Sequence, residues 1–305
     1  MTRASIVVPT RGGAARLPVL LHALAEQTHT DWEAIVVIDG DLDGSEQVVR
    51  RFAQLPVRAI TFPTNRGRVA ALNEGFASAT GDVFIRADDD FEPGPRHVAT
   101  HVAAHEEREC GVIGLPLNVA PQSPYRRTYG AQADVRGRAD AYALPAAQRW
   151  RLWGGNTSTS RETYMRVGGF DARYQGYGWE DLDFGYRIHR LGLPIELLVE
   201  AEVRHHMASI STRIRADRAY RSGQARARFE QIHGVGSSGL MPRPTSPWNR
   251  AVLTAAARLD ADRTERLARL VDSALPVLPP SIGRKAVALV VESSSVAGFM
   301  RGDAR

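Results

Sequence analysis

The chain has 305 residues, enough to bury a large core, and 43% hydrophobic with 24% charged content is the balance of an ordinary globular protein. A single cysteine, Cys110, excludes an intrachain disulfide and a cysteine zinc site, and no apolar run reaches the roughly 18 residues of a membrane span. The formal net charge of +5 is almost all arginine, Lys285 being the only lysine, with no consecutive basic block; this suits a phosphate-bearing ligand or an anionic surface and gives no reason to expect nucleic acid.

Met1-Thr2-Arg3-Ala4 leads straight into an apolar strand without the shape of a signal peptide, so a cytoplasmic protein is expected, with peripheral contact at the inner face of the membrane left open. Ser5 to Thr10 reads as a buried strand closed by a proline. Arg16 to Gln27 carries Leu17, Leu20, Leu21 and Leu24 at helical spacing. A second apolar strand, Glu33 to Asp39, runs into the acidic turn Gly40 to Ser45, and a helix is expected over 46–54. Val57 to Phe62 is a third strand, Val69 to Ala79 a helix, and Gly81 to Arg86 a fourth strand entering Asp88-Asp89-Asp90. Strands alternating with helices predict an α/β fold with a mostly parallel central sheet and helices on both faces. Ligands of such sheets bind beyond the carboxyl ends of the strands, where Asp39 and Asp88 fall.

Residues 121–150 have weak periodicity and read as an excursion, a mobile loop over the site. Further expectations are a strand over 152–159, a helix over 180–191 and one last strand over 194–206. A helix over 212–232, a Gly/Ser/Pro linker over 234–247 and a single helix over 248–275 follow, with the last thirty residues unassigned. Cys110 lies in an apolar run and reads as a buried small hydrophobe.

Asp88 and Asp90, two residues apart at a strand end, can converge on one Mg²⁺ or Mn²⁺, whose hard oxygen ligands include a diphosphate; a solvated acidic turn or helix cap is the alternative. Asp39 can accept a hydrogen bond from a nucleobase or ribose, or be a turn residue beside Gly40. In Gly178-Trp179-Glu180-Asp181-Leu182-Asp183, an indole face suits a sugar ring and a carboxylate suits a general base, although acids also complement a helix N-terminus. Val203-Arg204-His205-His206 offers a late histidine to a metal shell or a plain histidine pair. Arg66 and Arg68 could meet a diphosphate, and Gly154-Gly155-Asn156 could line an acceptor pocket.

In this order the pieces resemble the family-2 inverting glycosyltransferases of the GT-A fold. Val7-Val8-Pro9-Thr10 with Gln27-Thr28 is similar to that family's start, and Ile38-Asp39-Gly40-Asp41-Leu42-Asp43-Gly44-Ser45 to its Asp-Asp-Gly-Ser-x-Asp-Gly turn. Asn65-x-Gly67, Asn73-x-Gly75 and Gly81-Asp82 resemble its central helix region, and Arg86-Ala87-Asp88-Asp89-Asp90 its metal motif. Gly168-Gly169-Phe170-Asp171 through Asp183 resembles the acceptor-side segment of galactosyl- and N-acetylgalactosaminyltransferases.

The resemblance implies a GT-A domain over 1–211, with a nucleotide-sugar half over about 1–110 and an acceptor-side half over 111–211, then a C-terminal helical extension over 212–305. It implies Asp181 as catalytic base and Glu180 as the residue orienting the acceptor. Pro9, Thr10, Arg11, Asp39, Asn65, Arg68, Asp88 and Asp89 would bind the nucleotide-sugar. Asp88, Asp90 and His205 would ligate Mn²⁺ or Mg²⁺, and Trp179, Gly155 and Asn156 would meet the acceptor. Ile38 and Asp41 depart from the family turn, and the His205-His206 pair leaves the ligand ambiguous by one position. The implied reaction moves a hexose or N-acetylhexosamine, from a UDP-sugar foremost, to a hydroxyl of a glycan, lipid-linked or small-molecule acceptor; a homo-oligomer stays open. The rival readings are a non-catalytic nucleotide-sugar-binding subunit and a nucleotidyltransferase. The second would want a glycine-rich phosphate loop with a lysine, of which Arg11-Gly12-Gly13 is a faint echo.

Overall fold

A computed structural model describes residues 2–206, 209–239 and 241–302. It divides into two compact units, one made of Met1–Val119, Asp140–Gln175 and Glu180–Met207, the other of Ala120–Ala139, Gly176–Trp179 and Ala208–Arg305. The second therefore draws in two segments far upstream of residue 212.

The first unit opens with β1 (Ala4–Thr10), α1 (Leu17–Ala25), β2 (Trp32–Asp39), α2 (Ser45–Arg50), β3 (Val57–Phe62), α3 (Arg68–Ala77) and β4 (Val83–Arg86). Every residue of β2 and β4 is buried, as expected of parallel strands covered on both faces. Leu17, Leu20, Leu21 and Leu24 form the buried stripe of α1, and Pro18 sits in its first turn, where no N–H has an intrahelical partner to lose. Then come β5 (Phe91–Pro93), α4 (His97–Glu107), β6 (Gly111–Ile113), β7 (Pro116–Asn118), α5 (Ala131–Tyr142, whose residues 131–139 belong to the second unit), β8 (Thr157–Ser160), α6 (Arg161–Val167), α7 (Glu180–Arg190), β9 (Ile195–Leu197) and β10 (Val203–His205). A seven-stranded sheet has the order β3-β2-β1-β4-β8-β6-β9, in which only β8 runs against its neighbours, and a small sheet has the order β5-β10-β7.

Three expectations are corrected. Residues 121–150 are largely helical: a wide turn at Arg126–Gly130 leads into α5, and a 3₁₀ stretch spans Ala146–Leu152. Alanine carries α5, but Ala141 is its only buried residue, so there was no apolar stripe to read. The strand expected over 152–159 begins only at Thr157, after a turn through the paired glycines. The single strand expected over 194–206 is two, β9 and β10, in different sheets and separated by a 3₁₀ turn at Val199–Ala201.

The second unit contains α8 (Thr212–His233), α9 (Pro247–Ala256), α10 (Ala261–Ala274) and α11 (Pro280–Gly302). The one helix expected over 248–275 is broken because Asp260 accepts the Arg263 N–H and starts a new helix. α8 and α11 cross backbone to backbone at glycines: a Cβ on Gly298 would lie 1.9 Å from the Tyr220 carbonyl, and one on Gly223 2.1 Å from that of Ser295. Among the described residues no helix is long and apolar enough to cross a membrane.

On α4, His97, His101 and His105 stand four residues apart, one turn above another. His101 Nδ1 and His105 Nε2 each lie 2.7 Å from the Ser158 hydroxyl on β8, and the His97 and His101 rings meet edge-on. Burial pushes His97 and His105 down to about 4 and His101 well below its ordinary value. Burial likewise pushes the Cys110 thiol up to about 11, as suits a core residue. The unfolded chain therefore binds more protons than the fold below the ordinary histidine pKa of about 6.5. The stability of the neutral ladder is fully present above that pH and is lost as pH falls towards 4. Denaturant unfolding is expected to show a loss of about 2 kcal/mol per histidine between pH 7 and 5, with His105→Gln flattening the slope by about one such step. An equal slope in the variant would remove His105 from the ladder.

Candidate active site

Strand β4 lies between β1 and β8 and ends in Arg86, whose side chain is 1% exposed. A guanidinium so buried is costly unless it is paired. Its Nη2 lies 3.0 Å from Asp88 Oδ1, and its Nη1 forms an ion pair with Asp181 in the first turn of α7. The ring of Phe170 covers it, 5.9 Å from the guanidinium carbon. Burial alone would raise the Asp88 carboxyl, but the charges of Arg86 and Arg68 hold it below its ordinary value. Gly155 packs directly on Asp88: a Cβ there would lie 2.3 Å from Oδ2.

The start of α7 carries Glu180, Asp181 and Asp183, all complementing the helix dipole. Glu180 is buried and pairs with Arg68 Nη1 at 3.3 Å, at the start of α3. Asp183 has a different role, accepting from Arg187 Nε at 2.7 Å and from the Tyr174 hydroxyl at 3.3 Å. The other Arg187 nitrogens donate to the carbonyls of Val167 and Gly169. Asn73 makes two 2.8 Å bonds to the backbone of Phe170. Gly168 and Gly169 have φ of +85° and +75°, the left-handed region that glycine enters without strain. The Gly168-Gly169-Phe170 loop is thus clamped from α3 and α7, and it holds the ring that covers Arg86.

Asp90 and His205 face each other, Oδ2 to Nε2 at 3.2 Å, across the small sheet. His205 Nδ1 lies 2.7 Å from the Asn118 side-chain oxygen, which can only accept, so Nδ1 carries the proton. Nε2 therefore faces Asp90 Oδ2, where a proton or a bound cation can join the two groups. Asp90 Oδ1 is buried and makes no hydrogen bond among the described residues. The neighbouring His206 pairs with Glu92 at 2.6 Å, which settles which histidine faces Asp90. Among the described residues no three acidic, histidine or cysteine side chains gather as a complete metal shell, Asp88 being drawn to Arg86. Asp90 and His205 have the donor chemistry for two positions of a divalent cation's shell.

On the donor side, Asp39 ends β2 and accepts the backbone N–H groups of Arg66 and Gly67, fixing the turn into α3. Asn65 is exposed and accepts from Gly67 N, and Arg66 stacks on Phe62. Pro9 is half-buried on β1, and Arg11 is exposed.

Four residues expected to meet ligands have partners within the protein. Asp89 is held by both arms of the Arg16 fork, at 2.9 and 2.7 Å, and by the Thr10 hydroxyl, so this carboxylate and that hydroxyl tie the chain together rather than face a nucleotide. Asn156 is buried, its amide nitrogen donating to the Ala201 carbonyl and its oxygen meeting His101, so it is tied into the core. Trp179 is 4% exposed, packs on Phe229 and donates to Ser222, so it offers no open face to a sugar. It is also the only non-glycine residue with positive φ among those described, at 68°. Arg86, Arg16, Asn118 and Arg187 carried no sequence signal of their own; only the partners they serve, acids for the arginines and His205 for Asn118, stood out.

The family model described as Glycosyl transferase family 2 matches residues 5–168, more than half of the chain, and the one described as N-terminal domain of galactosyltransferase matches residues 141–209. A validoxylamine A glucosyltransferase of Streptomyces hygroscopicus subsp. jinggangensis is 30% identical over 68% of this chain and 58% of its own. An undecaprenyl-phosphate 4-deoxy-4-formamido-L-arabinose transferase of Pseudomonas fluorescens is 32% identical over 40% of this chain and 38% of its own. The chain thus spans less than two thirds of the length of these curated relatives. Among solved structures, the mannosyltransferase PcManGT of Pyrobaculum calidifontis, in complex with GDP-Man and Mn²⁺, aligns with TM-score 0.62 at 20% identity over 97% of this chain and 87% of that one. TarS 1-349 of S. aureus, in complex with UDP-GlcNAc, aligns with TM-score 0.54 at 16% identity over 98% and 91%. At such identities the likeness is one of fold.

Gly155→Ala is expected to push Asp88 away from Arg86 and to cost about 1–3 kcal/mol of stability, measured by denaturant unfolding. Wild-type stability in that variant would mean that Asp88 does not rest on Gly155.

Proposed function

The chain belongs to the family-2 glycosyltransferases, and we propose that it moves a hexose or N-acetylhexosamine from a UDP-sugar to an acceptor hydroxyl in one inverting displacement. The observation that carries the reading is the buried Arg86, which ties Asp88 beyond a sheet strand to Asp181 on a helix N-terminus. Donor-side and acceptor-side carboxylates share one cation, so they stand on either side of a single place.

Asp181 takes the proton of the acceptor hydroxyl. The acceptor oxygen forms its bond to the anomeric carbon as the bond from that carbon to the diphosphate oxygen breaks, and the diphosphate leaves with the electron pair. Arg86 holds Asp181 in place through their ion pair, and Glu180, itself held by Arg68, orients the acceptor. Arg68 also presents charge to the diphosphate. Asp90 and His205 would hold Mn²⁺ or Mg²⁺, which when bound supplies positive charge against that building on the leaving group. The named substrates of the relatives make a small-molecule hydroxyl or a lipid-linked acceptor the classes to try first.

A panel of nucleotide-sugars with Mn²⁺, scored by release of nucleoside diphosphate, tests the reading without a known acceptor; release of pyrophosphate instead would make the chain a nucleotidyltransferase. With the preferred donor, Asp181→Asn is expected to lower kcat by about 10²–10⁴-fold with little change in donor KM. Because Arg86 acts through Asp181, Arg86→Lys should slow the wild type but add little to Asp181→Asn; effects that multiply would separate the two residues. His205→Ala and Asp90→Ala should each weaken donor binding in Mn²⁺ while His206→Ala does not, and full turnover in excess EDTA would remove the metal role.

A further inference from the structure

We infer that the corner between α10 and α11 is a docking surface for an anionic lipid bilayer, an inference independent of the reaction proposed above. Scattered exposed aliphatic residues are normal on any protein surface, but here they are concentrated. Leu270 in the last turns of α10 is 67% exposed, Val277 in the turn 83% and Ile282 in the first turn of α11 53%, with exposed Pro276, Pro279 and Pro280 between them. The corner is also pinned. Leu275 is buried beneath it, and Gly283 packs so closely on Thr128 and Leu275 that a Cβ would lie 2.7 Å from the Thr128 methyl. The aliphatic side chains are therefore held out by a fixed turn rather than by a loose loop.

Charge decides what this surface fits. Residues 263–285 contain five basic side chains (Arg263, Arg266, Arg269, Arg284 and Lys285) against two acidic ones, Glu265 and Asp272, a net charge of +3. Both acids are already engaged: Glu265 pairs with Arg269, and Asp272 accepts the Thr212 and Arg213 N–H groups at the start of α8. Arg266, Arg284 and Lys285 are exposed and make no hydrogen bond or ion pair among the described residues, Arg266 being felt only at a distance by Asp260. With Arg263 paired to Asp260 and Arg269 to Glu265, three unpaired cations, Arg266, Arg284 and Lys285, remain on the two helices that carry the aliphatic tip, which matches the acyl boundary and headgroups of an anionic leaflet. A second copy fits poorly, since a two-fold contact would set the same positive corners against each other. The contact is peripheral, because no described helix can span a bilayer.

Co-sedimentation of the full chain with vesicles tests this. Vesicles of equimolar phosphatidylcholine and phosphatidylglycerol should carry the protein down, those of phosphatidylcholine alone should not, and added salt should weaken the binding. Val277→Asp with Ile282→Asp, and separately Arg284→Glu with Lys285→Glu, should each lower partitioning by about tenfold or more with Tm unchanged, since all four side chains are exposed. The inference is overturned if folded protein ignores anionic vesicles, or if both double variants bind as well as the wild type. It is equally overturned if sedimentation velocity reveals a dimer that Val277→Asp with Ile282→Asp dissolves, which would make the corner a self-interface.

Discussion

A full positive charge at the end of a central β-strand, with almost no access to water, has to be neutralised by the protein itself, and the site is organised by how Arg86 achieves this. Its two carboxylate partners come from parts of the chain that share no local structure. Asp88 follows the same strand, while Asp181 arrives on the N-terminal turn of a helix nearly a hundred residues later. Taking either acid away would leave buried charge uncompensated, a far larger penalty than the loss of a surface ion pair. The requirement reaches outwards to Gly155, which must lack a side chain for Asp88 to fit, and to Phe170, whose ring closes the remaining side.

Around that pair lies a layer of acids and amides that resemble catalytic groups but serve as fixings. Asp89 locks β1 and the chain after it through Thr10 and Arg16; Asp183 locks the glycine loop through Arg187; Asn73 does the same from α3. Each is buried or half-buried with its partners inside the protein, as a polar group withdrawn from water must be. Asp90 with His205 is the contrasting case. The Asn118 bond to Nδ1 turns Nε2 towards a carboxylate, and one Asp90 oxygen finds no partner among the described residues, so this pair keeps a donor atom that the protein itself does not use. The fixings hold these side chains in set positions through partners within the protein, which is how polar groups are pre-positioned around a cleft.

Fold class was legible because the first half of the chain is regular at every level. Continuous apolar runs at β1 and β2, a four-leucine stripe on α1 and carboxylates just past strand ends are local patterns, and local patterns survive in one dimension. Residues 121–150 and 194–206 were misread for the opposite reason. α5 buries almost nothing and so has no stripe, and the break between β9 and β10 follows from which sheet each segment joins, a choice made by partners far away in sequence.

By itself the sequence determined the doubly covered parallel sheet, the order of the acidic motifs along it and the set of residues from which a site can be assembled, because burial pattern and spacing depend on neighbours a few positions apart. Only the tertiary structure decided which acids are engaged with partners inside the protein and which keep an oxygen without one among the described residues. It also decided that His205 rather than His206 meets Asp90, that Trp179 is core, and that Arg86 binds the two halves of the site. Those outcomes depend on which side chain of opposite charge or hydrogen-bonding capacity reaches a given atom, and that is set by the packing of strands and helices rather than by distance along the chain.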